Sequence, residues 1–435
     1  MTRQRAPGPE PRAVALLLAA ALAVPVPALA LPAFEALDLR ELRIGTLRLA
    51  GPAGEVVARE VEVVTLDDGT LRAGAASLAL ADGPLAPLEL RGRLTDDGRR
   101  ISWSGEVRLP RGPRLGRLTA RHERSGDGPE VRLEAPSITL GDGQVALARL
   151  LPGLAAAGVA ANGEVGLRLQ LRFGRRPQER AELLLRDLSL RLPGAEIQRL
   201  NGVIVLSGLR PPRMGEPQEL AAALIDVGIP LTSGFVRFRL APDGVLAIDR
   251  LRFEIAGGRV TGGPAEIAPP YRAGTLRLLA DGLDLGELVA ALTVPHLTAS
   301  GRLDGELPLA LDAAGAITVA GGQLRAREPG TIRWRPTEPP AALAAAGGGG
   351  EILLLALADF QYDHLEMRLD GQTDGEMQAQ LAIHGRNPAL YDGYPVAFNL
   401  NLEGRLAAIV RRGVQAWQLP DAIGARMRDF QRSGG

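Results

Sequence analysis

The chain contains no cysteine. That excludes disulfides, thiolate zinc sites, iron–sulfur clusters and cysteine nucleophiles. It suits an oxidising compartment, where a cysteine-free chain needs no disulfide management. Lysine is absent too: all 50 basic residues are arginine, and 50 acidic residues bring the formal net charge to +0. Such a balance argues against a nucleic-acid partner, because phosphate binding draws on a basic excess or a basic face. Histidine is scarce, with 4 in 435 residues. Aromatic residues make up only 3% of a chain that is 46% hydrophobic, so its apolar mass is leucine, alanine and valine.

Motifs for chemistry are missing as well. Gly141-Asp142-Gly143-Gln144-Val145-Ala146 fits a G-x-G-x-x-A string, but a dinucleotide site also needs alternating βα units, so the stretch reads as a turn. Four glycines end the run Pro336–Gly350, but no Lys-Ser/Thr follows, and this is a loop. No G-x-S-x-G elbow occurs. His122 and His296 read as solvated loop residues. His364 lies near Asp363 and Glu366, with His384 further on, but without the H-x-H or H-E-x-x-H spacing of a metal site. The expectation is a protein with no catalytic residues, metal or cofactor.

Arg3, Arg5 and Arg12 precede an apolar run that stays uncharged from Ala13 to Phe34. Ala28-Leu29-Ala30 is a cleavage-like signature after Pro25 and Pro27, so the segment suits a signal peptide. It is also long enough to be a retained membrane anchor. Either way the arginines stay inside and the remainder crosses the inner membrane. No later stretch is apolar enough to span a bilayer.

From residue 36 to 412 the chain reads as strand after strand. Asp-Gly recurs from Asp68, Asp82, Asp97, Asp127 and Asp142 to Asp243, Asp281, Asp304, Asp370, Asp374 and Asp392, and Asn162 and Asn201 each precede glycine. These dipeptides favour tight hairpins and predict an antiparallel meander. Strand segments alternate: Leu167, Leu169 and Leu171 face one way and Arg168 and Arg172 the other. Val236, Phe238 and Leu240 oppose Arg237 and Arg239, and Phe398, Leu400 and Leu402 oppose Asn399 and Asn401. A period of two with polar residues on one face means a sheet that is wet on one side only. Leu285, Leu288, Val289 and Leu292 have helical spacing, as do Leu147, Leu150, Leu151 and Leu154. Ile423, Met427 and Phe430 suit a small helix in a tail.

A long sheet with one apolar face must cover that face, by closing into a barrel, pairing into a sandwich, or bending into a U-shaped groove that holds lipid tails. Scarce aromatics weaken the filled-core solutions, since cores of this size usually use them to fill volume. Aliphatic walls suit acyl chains.

Ordered stretches then resemble a known family. They include Leu188-Ser189-Leu190-Arg191-Leu192-Pro193-Gly194, Asp226-Val227-Gly228-Ile229-Pro230-Leu231-Thr232, Leu283-Asp284-Leu285-Gly286-Glu287-Leu288, Glu328-Pro329-Gly330-Thr331-Ile332-Arg333-Trp334, Leu357-Ala358-Asp359-Phe360-Gln361-Tyr362 and Asn387-Pro388-Ala389-Leu390-Tyr391-Asp392-Gly393-Tyr394-Pro395. Over about residues 185 to 413 the chain resembles the YdbH-like branch of the AsmA-like family of bacterial intermembrane phospholipid-transport proteins. The resemblance implies a mostly β fold, a long antiparallel sheet bent into a U-shaped hydrophobic groove, with a few short helices and an N-terminal apolar helix. It implies a periplasmic conduit for phospholipid between inner and outer membranes of a Gram-negative bacterium, tethered to the inner membrane through its N-terminus. A small outer-membrane lipoprotein would pair at the C-terminal sheet edge, at Asn399 and Asn401. The groove lining would comprise Leu167, Leu169, Leu171, Val236, Phe238, Leu240, Phe398, Leu400 and Leu402. The expected division is residues 1–34 as signal or anchor, 35–184 and 185–413 as two parts of the β-groove, and 414–435 as a mobile tail. About 25 to 30 strands at about 4.8 Å each would reach about 120 to 145 Å, less than longer members of the family. The alternative is a non-catalytic envelope scaffold with a filled β core.

Overall fold

The computed structural model describes residues 41–404 apart from 52–53, 68–69, 81–84, 126–127, 142–143, 210, 228, 270–272, 292–293, 312–316, 339–347 and 373–375. The expected N-terminal helix and C-terminal tail lie outside the described residues. The described residues fall into two compact units, those up to 193 with 198–218, and 194–197 with those from 219 on.

The first unit runs β1 (Glu41–Gly51), β2 (Gly54–Thr65), β3 (Leu71–Leu80), β4 (Leu88–Asp96), β5 (Arg100–Arg108), β6 (Arg114–Glu123), β7 (Glu130–Leu140), the short helices α1 (Leu147–Leu150) and α2 (Pro152–Ala156), β8 (Ala160–Arg172), β9 (Gln178–Leu192), β10 (Ala195–Leu206), and a ribbon of β11 (Gly208–Leu209) and β12 (Pro212–Arg213). Each strand from β1 to β9 pairs antiparallel with the next. The reason is visible in β5: Ile101, Trp103 and Val107 are buried while Arg100 and Ser104 are exposed, as a pleat with one dry side demands. The leucine spacing that predicts one helix from Leu147 to Leu154 is cut in two at Leu151, whose ψ of 70 is not helical. Pro152 pushes the residue before it out of the helical region.

The second unit runs β13 (Gln218–Asp226), β14 (Pro230–Leu240), β15 (Leu246–Ile255), β16 (Gly258–Gly262), β17 (Ala265–Ile267), β18 (Gly274–Asp284), α3 (Leu285–Ala291), β19 (Leu297–Ser300), β20 (Arg302–Leu311), β21 (Ile317–Ala326), β22 (Gly330–Trp334), α4 (Gly348–Leu357), β23 (Phe360–Gln372), β24 (Met377–Arg386) and β25 (Val396–Gly404). Among the described residues the 25 strands divide into 23 that lie in antiparallel sheet and the two of the ribbon. Asp284 caps α3, its Oδ1 accepting from the Glu287 N–H at 3.0 Å, one of the orphan donors of a helix start. No helix among the described residues is long and apolar enough to cross a membrane.

The Asp-Gly and Asn-Gly expectation needs correction. Asp97-Gly98 and Asp243-Gly244 do join β4 to β5 and β14 to β15, and Asp392-Gly393 sits in a short 3-10 turn at Tyr391–Gly393. Asn162-Gly163, Asn201-Gly202, Asp281-Gly282, Asp304-Gly305 and Asp370-Gly371 instead lie inside β8, β10, β18, β20 and β23. Gly282, at φ 67, falls where the β18–β20 register slips between Ala280 and Leu283. Gly305 lies so close to the Gln323 carbonyl that a Cβ would strike it. Glycine serves a bulge or a close approach as readily as a turn.

Candidate functional site

On each of these strands the alternating apolar residues fall on one face, with charged or polar residues on the other. On β8, Leu167, Leu169 and Leu171 are partly buried and stand opposite Ala135, Leu133 and Val131 of β7. On β14, Val236, Phe238 and Leu240 are partly buried opposite Leu251, Ile248 and Leu246 of β15, while Arg237 and Arg239 are exposed. A one-residue register shift between Arg237 and Phe238 makes this possible. It lets the even-numbered Leu246 and Ile248 and the odd-numbered Leu251 and Phe253 share a face, which strict alternation forbids. On β25, Phe398 and Leu400 are partly buried against Ile383 and Leu381 of β24, and Asn399 and Asn401 are exposed. Leu402 pairs with Ala379 in the backbone register.

These stripes differ in what covers them. In the first unit Val61, Ala73, Leu90, Leu94, Ile101, Trp103, Ala120 and Val131 form a dry cluster, none more than 5% exposed. Neither α1 nor α2 contributes a buried residue. Partly buried residues of β1, β6, β7 and β8, among them Leu42, Ile44, Leu47, Leu118, Leu133 and Leu171, pack against this cluster. Trp103 helps: its indole N–H donates to the Ala73 carbonyl at 3.1 Å, two strands away. Leu171 packs on this cluster's edge, but Leu167 and Leu169 belong to no buried cluster.

In the second unit closure varies along the strands. Leu303 and Leu324 are buried, as are Phe360, Tyr362, Leu365 and Ile383. Further along the same strands, Leu307, Leu309, Leu311, Met367, Leu369 and Leu381 are only partly buried. The dry end carries the two helices, which bury Leu285, Ala356 and Leu357. Several resemblance motifs build this end. Tyr362 is 1% exposed and its hydroxyl donates to the Ser300 carbonyl at 2.8 Å. Asn387 is buried and its amide donates to Leu355 and Ala356 carbonyls at 2.9 and 3.2 Å, satisfying the end of α4. Arg333 Nε meets Asp359 Oδ1 at 2.7 Å. Phe398 joins this core, its ring centroid 5.3 Å from that of Phe360. Val236, Phe238 and Leu240 do not. Sequence reasoning missed α4, because Ile352–Ala358 is an unbroken apolar run with no helical period, and the helix also takes in Gly348, Gly349 and Gly350, which read as the end of a loop.

The polar clusters are structural in character. Arg327 bridges Asp281 and Asp304 at 2.5 and 2.6 Å, and Asp304 also accepts from the Gly282 N–H at 2.8 Å. The Arg327 hydrogen bonds hold the Asp304 carboxyl below the usual range, and the two carboxylates raise the guanidinium in turn. A hollow of about 620 Å³ touches Arg43, Glu62, Arg72, Glu89 and Arg91 where Gly45 and Gly74 leave gaps in the charged rows of β1–β4. Its lining also includes Ile44, Val61, Ala73 and Leu90. His122 is on β6 rather than in a loop, opposite Ile101. Its imidazole is pushed toward the neutral form by burial, with Arg124 adding to the shift. Among the described residues no group of three or more His, Asp or Glu could hold a metal ion.

Fold and site together define an antiparallel β protein whose strands keep partly exposed aliphatic stripes on one side and charged or polar rows on the other. The family model described as YdbH-like, intermembrane phospholipid transport protein YdbH, matches residues 15–428, and the chain belongs to that family. The match takes in residues 35–184, which the motif resemblance does not reach. Membership gives the chain a role in phospholipid transport and a place in the Gram-negative cell envelope. No curated protein and no solved structure matches it.

Proposed function

We propose that the chain is a non-catalytic conduit that carries phospholipid across the periplasm with its acyl tails against the apolar face of a U-shaped β-groove and the headgroup in water. The observation that carries this reading is the set of partly exposed aliphatic stripes, Leu167 and Leu169 on β8 and Val236, Phe238 and Leu240 on β14, which no described core cluster claims. Each methylene taken out of water gains about 0.8 kcal/mol. A bilayer offers the tail the same gain, so passage between bilayer and groove is close to balanced, as transport requires. The dry cluster of β2–β7 favours the filled-core alternative for that stretch, and the cargo path therefore excludes it.

In this reading the Ala13–Phe34 segment tethers the chain to the inner membrane, and β25 accepts a strand from a small outer-membrane lipoprotein. The described β25 pairs with β24, and an open edge offers unpaired N–H and C=O groups. Photo-crosslinkers at Leu169 and Phe238, followed by mass spectrometry of the adducts, test the path. Phospholipid adducts at both, with none at Leu94, support it; adducts at none of the three overturn it. Crosslinkers at Asn399 and Asn401 test the partner, and products formed only with residues 414–435 of the same chain would refute it. Intact mass of membrane-derived protein tests the tether, which a mature chain beginning at Leu31 would exclude.

A further inference from the structure

Two of the four histidines stand face to face. His364 on β23 and His384 on β24 are direct cross-strand partners, both exposed, with ring centroids 5.3 Å apart and planes at 43°. A bulge creates the pairing. Tyr362 pairs with Gly385, but the register then slips by one residue at Asp363, so that His364 meets His384. Without the slip, Asp363 would oppose His384 and His364 would lie against Ile383. Neither imidazole makes a hydrogen bond or ion pair with the described residues.

We infer that this pair is a two-imidazole site for a late first-row divalent ion, Cu(II) foremost. A metal about 2.0 to 2.1 Å from a ring nitrogen lies about 3.1 to 3.2 Å from the ring centroid, so two imidazoles on one ion span at most about 6.3 Å, and a 5.3 Å centroid separation is within that reach. Imidazole suits such ions, and Cu(II) heads their affinity order. The protein supplies only two ligands, since no third side chain completes a cluster among the described residues. Glu366, on the same strand face, is engaged at 3.3 and 3.6 Å by Arg368 and Arg325. Water or a small solute fills the remaining positions. The bound ion clips β23 to β24, next to the strand β25 that ends the described chain.

The test uses the full-length protein, stripped with chelator and titrated with CuCl2. Expected results are a rise in melting temperature and an electron paramagnetic resonance spectrum showing two equatorial nitrogens. Removing either ligand by His364→Gln or His384→Gln should weaken binding on the order of 10²-fold, because the second imidazole otherwise binds intramolecularly. His296→Gln should change nothing. Binding that survives in both ligand variants, or wild-type protein that shows no melting shift and no nitrogen coupling, overturns the site.

Discussion

The sharpest consequence of the uneven closure is that the same substitution should act oppositely at two leucine-rich positions of the second unit. Phe238 is partly exposed on β14, whereas Leu303 is 0% exposed on β20. Fully burying a phenylalanine is worth about 1.5 to 3 kcal/mol, so losing a partial burial at Phe238 should cost about 1 kcal/mol. The new carboxylate of Phe238→Glu reaches water and adds little more. At Leu303, truncation alone would cost about 2 to 5 kcal/mol. Leu303→Glu further places an unpaired charge in a dry core, at several kcal/mol more. At about 2 to 4 °C per kcal/mol for a unit of this size, Phe238→Glu should lower the melting temperature by only about 2 to 4 °C. Leu303→Glu should leave little folded protein. Lipid should follow the reverse logic, because a charge in an apolar path repels acyl tails while the fold survives. Thermal melts and mass spectrometry of co-purified phospholipid read both. The reasoning is refuted if Phe238→Glu unfolds like Leu303→Glu, or if it retains a wild-type lipid complement.

Three further outcomes follow from the dry ends. Tyr362→Phe removes the donor to the Ser300 carbonyl, a part-buried hydrogen bond, at about 0.5 to 1.5 kcal/mol by denaturant titration. Asn387→Ala strips two carbonyl partners from the end of α4; a loss of about 1 to 3 kcal/mol should appear with faster amide exchange in that helix. Burial lowers the His122 value from the ordinary 6.5, so the folded state resists protonation more than the unfolded one. Its contribution is present above that value and is lost as pH falls, and the fall in melting temperature between about pH 7 and 5 should shrink in His122→Gln.

The alternation of Leu with Arg, and of Phe398 and Leu400 with Asn399 and Asn401, was enough to assign strands and faces, because a pleat sends successive side chains to opposite sides. Balanced charge and absent cysteine narrowed the chemistry without any geometry. Ordered motifs such as Asn387-Pro388 and Gly330-Thr331 signalled the family, although their physical work became clear only when Asn387 met the end of α4 and Gly330 paired with Tyr362.

Tertiary structure alone decided the rest. A period of two says which face a residue takes, not what lies across from it. Leu94 and Leu169 therefore read alike in sequence, yet one is sealed and the other partly open. Bulges were equally hidden: a single extra residue at Asp363, or the slip opposite Phe238, changes every partner beyond it. Asp-Gly marks a positive backbone angle or a close approach, and only the partner strand determines whether the chain turns there, as at Asp243, or runs on, as at Asp304.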